Sequence, residues 1–181
     1  VLVLGGSQGA HAINVAMVEA APQLVRRAAD VALVHQTGEK DLETVREGYR
    51  RAGVQARVES FLDPVAREMA EADVVISRAG ATTLAELAAA GRPAVLVPFP
   101  AATDDHQRRN AEVLEQNGAA AVIDQRDLTA ERLAAVVGDL LVDANRRSLM
   151  SAAMRTSAKP EAAARIVGRL LDLAGPERPV G

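Results

Sequence analysis

Apolar residues along this chain fall into short unbroken runs, separated by longer stretches in which they recur at helical spacing. Val1 to Leu4, Val31 to Val34, Ala56 to Glu59, Val74 to Ser77, Ala94 to Val97 and Ala119 to Ile123 have the length of strands. An unbroken run such as Val1-Leu2-Val3-Leu4, closed by glycines, reads as a strand covered on both faces, the hallmark of a parallel sheet. The segment after it offers Ile13, Val15, Met17, Val18, Leu24 and Val25 as the buried stripe of a helix. Strand and helix alternate in this way through all six runs, which predicts an α/β fold with an open, doubly wound, six-stranded parallel sheet. Beyond Asp127 only helical patterns remain: Leu133, Val136, Val137, Leu140 and Leu141; a segment from Asn145 to Met154; and Ile166, Val167, Leu170 and Leu171. Pro160 suits the first turn of the last helix, Gly175-Pro176 its end, and residues 176–181 a loose tail.

Ligands of such sheets bind beyond the carboxyl ends of the strands, and three polar or glycine-rich segments fall there. The first, Gly5-Gly6-Ser7-Gln8-Gly9-Ala10, follows the first run. Its glycines permit close backbone approach, and the helix after it supplies unpaired N–H groups and a positive dipole end, so it reads as a phosphate cradle. A tight turn without a ligand is the alternative. It is not a dinucleotide fingerprint, because Leu4 stands where the first glycine belongs and His35-Gln36 where an acidic residue would close the second strand. No Gly-Lys-Ser/Thr follows either, which excludes a Walker loop.

The second segment, Ser77-Arg78-Ala79-Gly80-Ala81-Thr82-Thr83-Leu84-Ala85-Glu86, again leads from strand through glycine into helix. Two helix starts facing one crevice suit a diphosphate. Thr83 with Glu86 fits a capping box, and Glu86 fits a sugar-hydroxyl contact equally well. Arg78 could neutralise phosphate or form a structural ion pair. In the third segment, Pro98 to Asn110, His106 and Asn110 share a helical face with Gln107 beside them, amide and imidazole groups suited to neutral hydroxyls. Asp104-Asp105 reads as a cap for that helix rather than a metal site, and ligand binding by His106 is preferred to a general-base role. Phe61-Leu62 could flank a planar base, with core packing the stronger reading. His35-Gln36-Thr37-Gly38 reads as structural turn chemistry, and His11 has no partner that the sequence names.

Composition narrows the partners. Aromatic residues are 2% of the chain and the net charge is -3, which speaks against stacking platforms or a basic surface for nucleic acid. With no cysteine there is no thiol nucleophile and no cysteine metal site. Hydrophobic residues make up 49% of the 181, enough for one sizeable core. A chain that opens inside a core strand, on Val1 rather than Met, reads as cut from a longer protein.

Taken in order, these segments resemble the carboxyl-terminal half of the MurG family, N-acetylglucosaminyltransferases of peptidoglycan synthesis. Gly5 to Ala10 is the most specific piece, followed by His35 to Gly38, Ser77 to Thr83 with Glu86, Val97-Pro98-Phe99, and Asp105-His106-Gln107 with Asn110-Ala111. The resemblance implies a Rossmann-like domain, one half of a GT-B glycosyltransferase, that binds UDP-N-acetylglucosamine without a metal or other cofactor. Gly6 and Ser7 would hold the diphosphate, Ala81, Thr82 and Thr83 would approach it or the sugar through backbone and hydroxyl groups, and Gln8, Arg78 and Gly80 would complete the donor site. Phe61 and Leu62 would bracket uracil, Leu62 through its backbone, and Glu86 would take the ribose hydroxyls. His106, Gln107 and Asn110 would surround the phosphates and the sugar. Some family members carry Gln where His106 stands, which argues against an obligatory proton transfer there. The reaction implied is inverting displacement at the anomeric carbon by the hydroxyl of a lipid-linked acceptor. The acceptor side and the base would belong to an amino-terminal domain, so the catalytic residue is not among those named. Residues 1–156 would form the donor domain, and residues 157–181 a helix reaching toward the other domain, followed by the tail. The whole protein would sit on the cytoplasmic face of the membrane. Two rivals keep the fold: a separately encoded donor-binding subunit, and a non-catalytic nucleotide-binding module. A sugar-nucleotide 2-epimerase would want acidic catalytic residues that the sequence does not identify.

Overall fold

The computed structural model describes residues 1–5, 10–28, 30–102 and 105–174. Six short parallel strands form one sheet: β1 (Leu2–Leu4), β2 (Val34–Gln36), β3 (Arg57–Glu59), β4 (Val75–Ser77), β5 (Ala94–Leu96) and β6 (Ala120–Val122). Their order across the sheet is β3-β2-β1-β4-β5-β6, the doubly wound arrangement expected from the sequence. The connections are α1 (His11–Arg27), α2 (Leu42–Arg51), α3 (Val65–Glu71), α4 (Ala81–Ala90) and α5 (His106–Gln116), followed by α6 (Ala130–Val142), α7 (Ala144–Thr156) and α8 (Ala162–Ala174).

Alternating side chains of the strands enter two separate cores, which is why the runs are apolar throughout. Val3, Val74, Ile76, Val95 and Val97 pack on one face with Ile13, Met17, Leu24, Leu133, Val137 and Leu140 of α1 and α6. Leu2, Leu4, Val75, Ala94 and Leu96 pack on the other with Met69, Leu87, Ala111, Leu114 and Met154. Order reverses between β1 and β4, where the chain leaves β1 toward α1 on one face and β4 toward α4 on the other. That split opens a crevice at the carboxyl end of the sheet.

Three expectations need correction. The second strand is Val34–Gln36, not Val31 to Val34, because His35 and Gln36 are buried with polar partners and extend the ladder that apolar patterning stops short of. Val15 is exposed on α1, whose buried stripe instead includes Asn14, Ala16, Ala20 and Ala21. Pro160 lies in a turn two residues ahead of α8 rather than in its first turn. Gly175-Pro176 and the tail lie outside the described residues. On α8 the apolar side chains Ile166, Val167, Leu170 and Leu171 are all exposed, Leu171 at 68%.

Candidate functional site

Leu4, Gly5, Gln36, Phe61, Leu62, Val65, Ser77, Arg78, Thr82, Thr83 and Glu86 line one cleft of about 390 Å³ at the β1/β4 reversal. Each comes from the carboxyl end of a strand or from the first turns of the element after it, so the topology assembles the cleft.

The α4 side begins at Gly80, which occupies the N-cap position with extended backbone. The first helical bond runs from Leu84 N–H to the Gly80 carbonyl. The amides of Ala81, Thr82 and Thr83 therefore precede the helix's own ladder, and no side chain caps them. This overturns the capping box: Thr83 is the third helical residue, not the cap, and Glu86 stands exposed on the cleft wall. By contrast, α6 and α7 are capped by the side chains of Thr129 and Asp143. The N-terminus of α1 is also without a side-chain cap. Positive dipole ends left open at the crevice favour an anion.

The β1 exit is fixed by a close contact. Gly5 donates its N–H to the Gln36 carbonyl at 2.7 Å, and a Cβ at position 5 would lie 2.8 Å from that oxygen and 3.0 Å from Asn14 Oδ1. Only glycine fits. Gly6 and Ser7, expected to hold the diphosphate, lie outside the described residues, as does Gln8.

At the far end of the cleft Phe61 is 62% exposed, so the core-packing reading of this residue is wrong, while Leu62 is buried. The Leu62 N–H donates to Gln36 Oε1 at 3.1 Å. Gln36, read from sequence as turn chemistry, is thus part of the cleft wall. Its signal was a polar residue closing a strand at the carboxyl edge.

Among the described residues Arg78 has neutral hydrogen-bond partners rather than the structural ion pair weighed in the sequence, and it lines the cleft. Its Nη1 donates to the carbonyls of Val97 at 3.1 Å and Pro98 at 3.3 Å, its Nη2 to Gln125 Oε1 at 2.6 Å, and its guanidinium lies 5.3 Å from the centre of the Phe99 ring. Burial pushes its pKa down. The side chain ties the β5 exit loop to the segment after β6.

The α5 residues lie beside the cleft rather than in its wall. Gln107 Oε1 accepts the Phe99 N–H at 3.0 Å, and Asn110 Nδ2 reaches the Ala79 carbonyl at 3.4 Å, next to the start of α4. His106 opens α5 and is exposed. Asp105 takes the N-cap position in the left-handed region at φ 55, but its side chain makes no cap bond; its N–H donates to Ala102 instead. Asp104 lies outside the described residues.

Behind the cleft runs a buried polar chain. Tyr49 Oη meets His35 Nδ1 at 2.9 Å, His35 Nε2 meets Asn14 Oδ1 at 2.9 Å, and Asn14 Nδ2 donates to the Thr37 carbonyl at 3.0 Å and Asp41 Oδ2 at 2.8 Å. Asp41 also meets His11 Nδ1 at 3.0 Å, which supplies the partner the sequence left unnamed. Burial pushes the Asp41 carboxyl upward, yet the hydrogen bonds from Asn14 and His11 and the charge of His11 carry it below its ordinary value. Burial lowers the His35 pKa to about 4.

Sequence and fold comparisons show the family. The glycosyltransferase family 28 C-terminal domain model matches residues 1–166. The chain belongs to that family. A curated relative from Pelobacter propionicus, named UDP-N-acetylglucosamine--N-acetylmuramyl-(pentapeptide) pyrophosphoryl-undecaprenol N-acetylglucosamine transferase, is 54% identical over 142 residues, 78% of this chain and 38% of its own length. A relative of the same name from Anaeromyxobacter sp. (strain Fw109-5) is 46% identical over 186 residues, 98% of this chain and 49% of its own. The crystal structure of Acinetobacter baumannii MurG superposes with a TM-score of 0.84 at 35% identity, covering 93% of this chain and 48% of that one. The chain thus spans about half the length of the curated relatives it matches, or less. As a family 28 C-terminal domain it has the Rossmann-like fold that it shares with about half of the MurG chain. Among the described residues, no group of three or more His, Asp or Glu could hold a metal ion, and no helix is long and apolar enough to cross a membrane.

Proposed function

We propose that this chain binds UDP-N-acetylglucosamine as the donor half of an inverting transferase that passes N-acetylglucosamine to a lipid-linked N-acetylmuramyl-pentapeptide in peptidoglycan synthesis. The observation that carries the reading is the single cleft in which Phe61, Leu62, Thr82, Thr83 and Glu86 meet at the open N-terminus of α4. The names of the family 28 relatives support the choice of sugar nucleotide.

In this reading uracil lies against Phe61 and Leu62, whose N–H is engaged by Gln36. Glu86 takes the ribose hydroxyls. The diphosphate sits between Gly6, Ser7 and Gln8 and the leading amides of α4, reached across Gly80 and Ala81. His106, Gln107 and Asn110 approach the sugar side, while Arg78 acts through the loop it braces. The acceptor hydroxyl forms the new bond to the anomeric carbon as the bond to UDP breaks. The electron pair departs on the β-phosphate, whose growing charge the helix ends stabilise without a metal. The acceptor proton goes to a base on the amino-terminal domain, which the exposed apolar side chains of α8 would pack against. The whole enzyme works at the cytoplasmic membrane face, and nucleic acid is not a partner.

Calorimetric titration tests this. UDP and UDP-N-acetylglucosamine are expected to compete for one site, with NADH giving no heat; binding of NADH, or no binding of UDP, overturns the reading. Transfer to a lipid acceptor by this chain alone would overturn the placement of the acceptor side elsewhere.

A further inference from the structure

Helix α1 carries two stripes. One packs on the sheet through Ile13, Met17 and Leu24. The other, with His11, Asn14, Val15, Val18 and Glu19 at helical spacing, lines a separate groove of about 540 Å³ whose opposite wall is Thr44, Val45, Gly48 and Arg51 of α2. The helices close on each other at Gly48, where a Cβ would lie 2.6 Å from Val18 Cγ1, so no side chain covers the floor there. Val15 is 40% exposed on this groove, although apolar patterning expects it in the core. The groove and the donor cleft share no lining residue.

The chemistry of the groove selects its occupant. A small ligand needs convergent polar groups to orient it, and those at the head of the groove are already engaged. Asn14 Nδ2 donates to the Thr37 carbonyl and to Asp41, Asn14 Oδ1 meets His35, and Asp41 also meets His11. The rim is acidic, with Glu19, Asp41, Glu43 and Glu47 set against Arg51. Glu47 is paired with Arg50 and Arg51, but Glu19 forms no ion pair with any described residue, and the Glu43 side chain, 82% exposed, keeps Arg46 alone. That sign repels an anionic lipid surface and attracts cations. Two helices with an open apolar seam accept the ridge of a third, and the wall from His11 to Glu19 is about 12 Å long, enough for two turns of it. We propose that the α1–α2 groove is a docking surface for another protein, which lays in it a helix with an apolar face flanked by Lys or Arg. The apolar face covers Val15 and Val18, and the basic flanks meet Glu19 and Glu43.

The probe is a synthetic amphipathic helix of Leu and Lys, about 18 residues long, with a Leu/Glu peptide of the same pattern as control. Fluorescence anisotropy should show that this chain binds the first and not the second. Val15→Asn should weaken binding by about 10-fold, and Glu19→Gln combined with Glu43→Gln by about 5-fold at low salt and little at high salt. Glu131→Gln, at an exposed acid in the first turn of α6, should change nothing. Thermal unfolding identifies which variants fold, and the surface pair Glu19 and Glu43 carries the test if Val15→Asn does not. Equal binding of the two peptides, groove variants that bind like the unsubstituted chain, or an equal loss in Glu131→Gln overturns the proposal. So does binding to phosphatidylglycerol vesicles that Val15→Asn abolishes, which assigns the groove to a membrane, or a dimer of this chain that Val15→Asn dissolves. Peptide binding by this chain that is absent from the full-length protein also overturns it, because the groove is then covered from within.

Discussion

His35 Nε2 lies 2.9 Å from Asn14 Oδ1, both residues fully buried, and the contact fixes the protonation of the imidazole. Asn14 Nδ2 donates to the Thr37 carbonyl and to Asp41, so Oδ1 is the acceptor and His35 Nε2 must carry the proton. Nδ1 then accepts from the Tyr49 hydroxyl at 2.9 Å. His35 is neutral and has no room for a second proton without losing the Tyr49 bond.

Stability should therefore depend on pH through this residue. Its pKa in the folded chain, about 4, lies below the ordinary value of 6.5, so the unfolded chain binds the extra proton first as pH falls. The native state loses ground from about pH 6.5 downward, by roughly 2–3 kcal/mol between pH 7 and pH 4.5. Urea unfolding at the two pH values should show this loss, and the difference between wild type and His35→Gln isolates it. Equal pH dependence in both proteins contradicts the assignment.

Gly5→Ala should cost about 1–3 kcal/mol, because the new methyl meets backbone oxygen and a fixed amide rather than a side chain that can swing aside. Because the displaced atoms carry the β1 exit, UDP binding should weaken as well. An alanine variant of wild-type stability by urea denaturation would mean that Gln36 and Asn14 give way.

Arg78→Lys should be nearly as damaging as Arg78→Met, since one ammonium cannot reproduce the fork that spans Val97, Pro98 and Gln125. If the residue acted chiefly as a positive charge for phosphate, lysine would rescue UDP affinity. Titration of both variants with UDP separates the two roles.

Glu86→Ala should weaken UDP by about 10-fold, the scale of a hydrogen bond to a charged group near solvent. The sharper readout is 2′-deoxy-UDP. Wild type should prefer UDP, and the alanine variant should lose that preference.

The sheet was legible because its strands are covered on both faces, so Val74 to Ser77 and Ala94 to Val97 could be read from apolarity alone. The end of β2 was not. His35 and Gln36 are buried because Tyr49, Asn14 and the Leu62 amide satisfy them, and hydropathy registers polarity without registering partners. The capping box failed for a related reason: Thr83 and Glu86 have the spacing, but Gly80 takes the N-cap position three residues earlier. Cleft residues were legible where topology alone gathers them, as with Phe61, Thr82 and Glu86 at the strand ends. Arg78 and Gln107 were recognisable as residues near the site, but not that their polar atoms are engaged by loop backbone.

A crystal structure of the chain with UDP-N-acetylglucosamine tests the central claim most directly. Uracil should lie against Phe61 and Leu62, with ribose on Glu86 and the diphosphate at the leading amides of α4. Nucleotide bound instead in the groove between α1 and α2, lined by Val15, Val18 and Val45, would contradict the account.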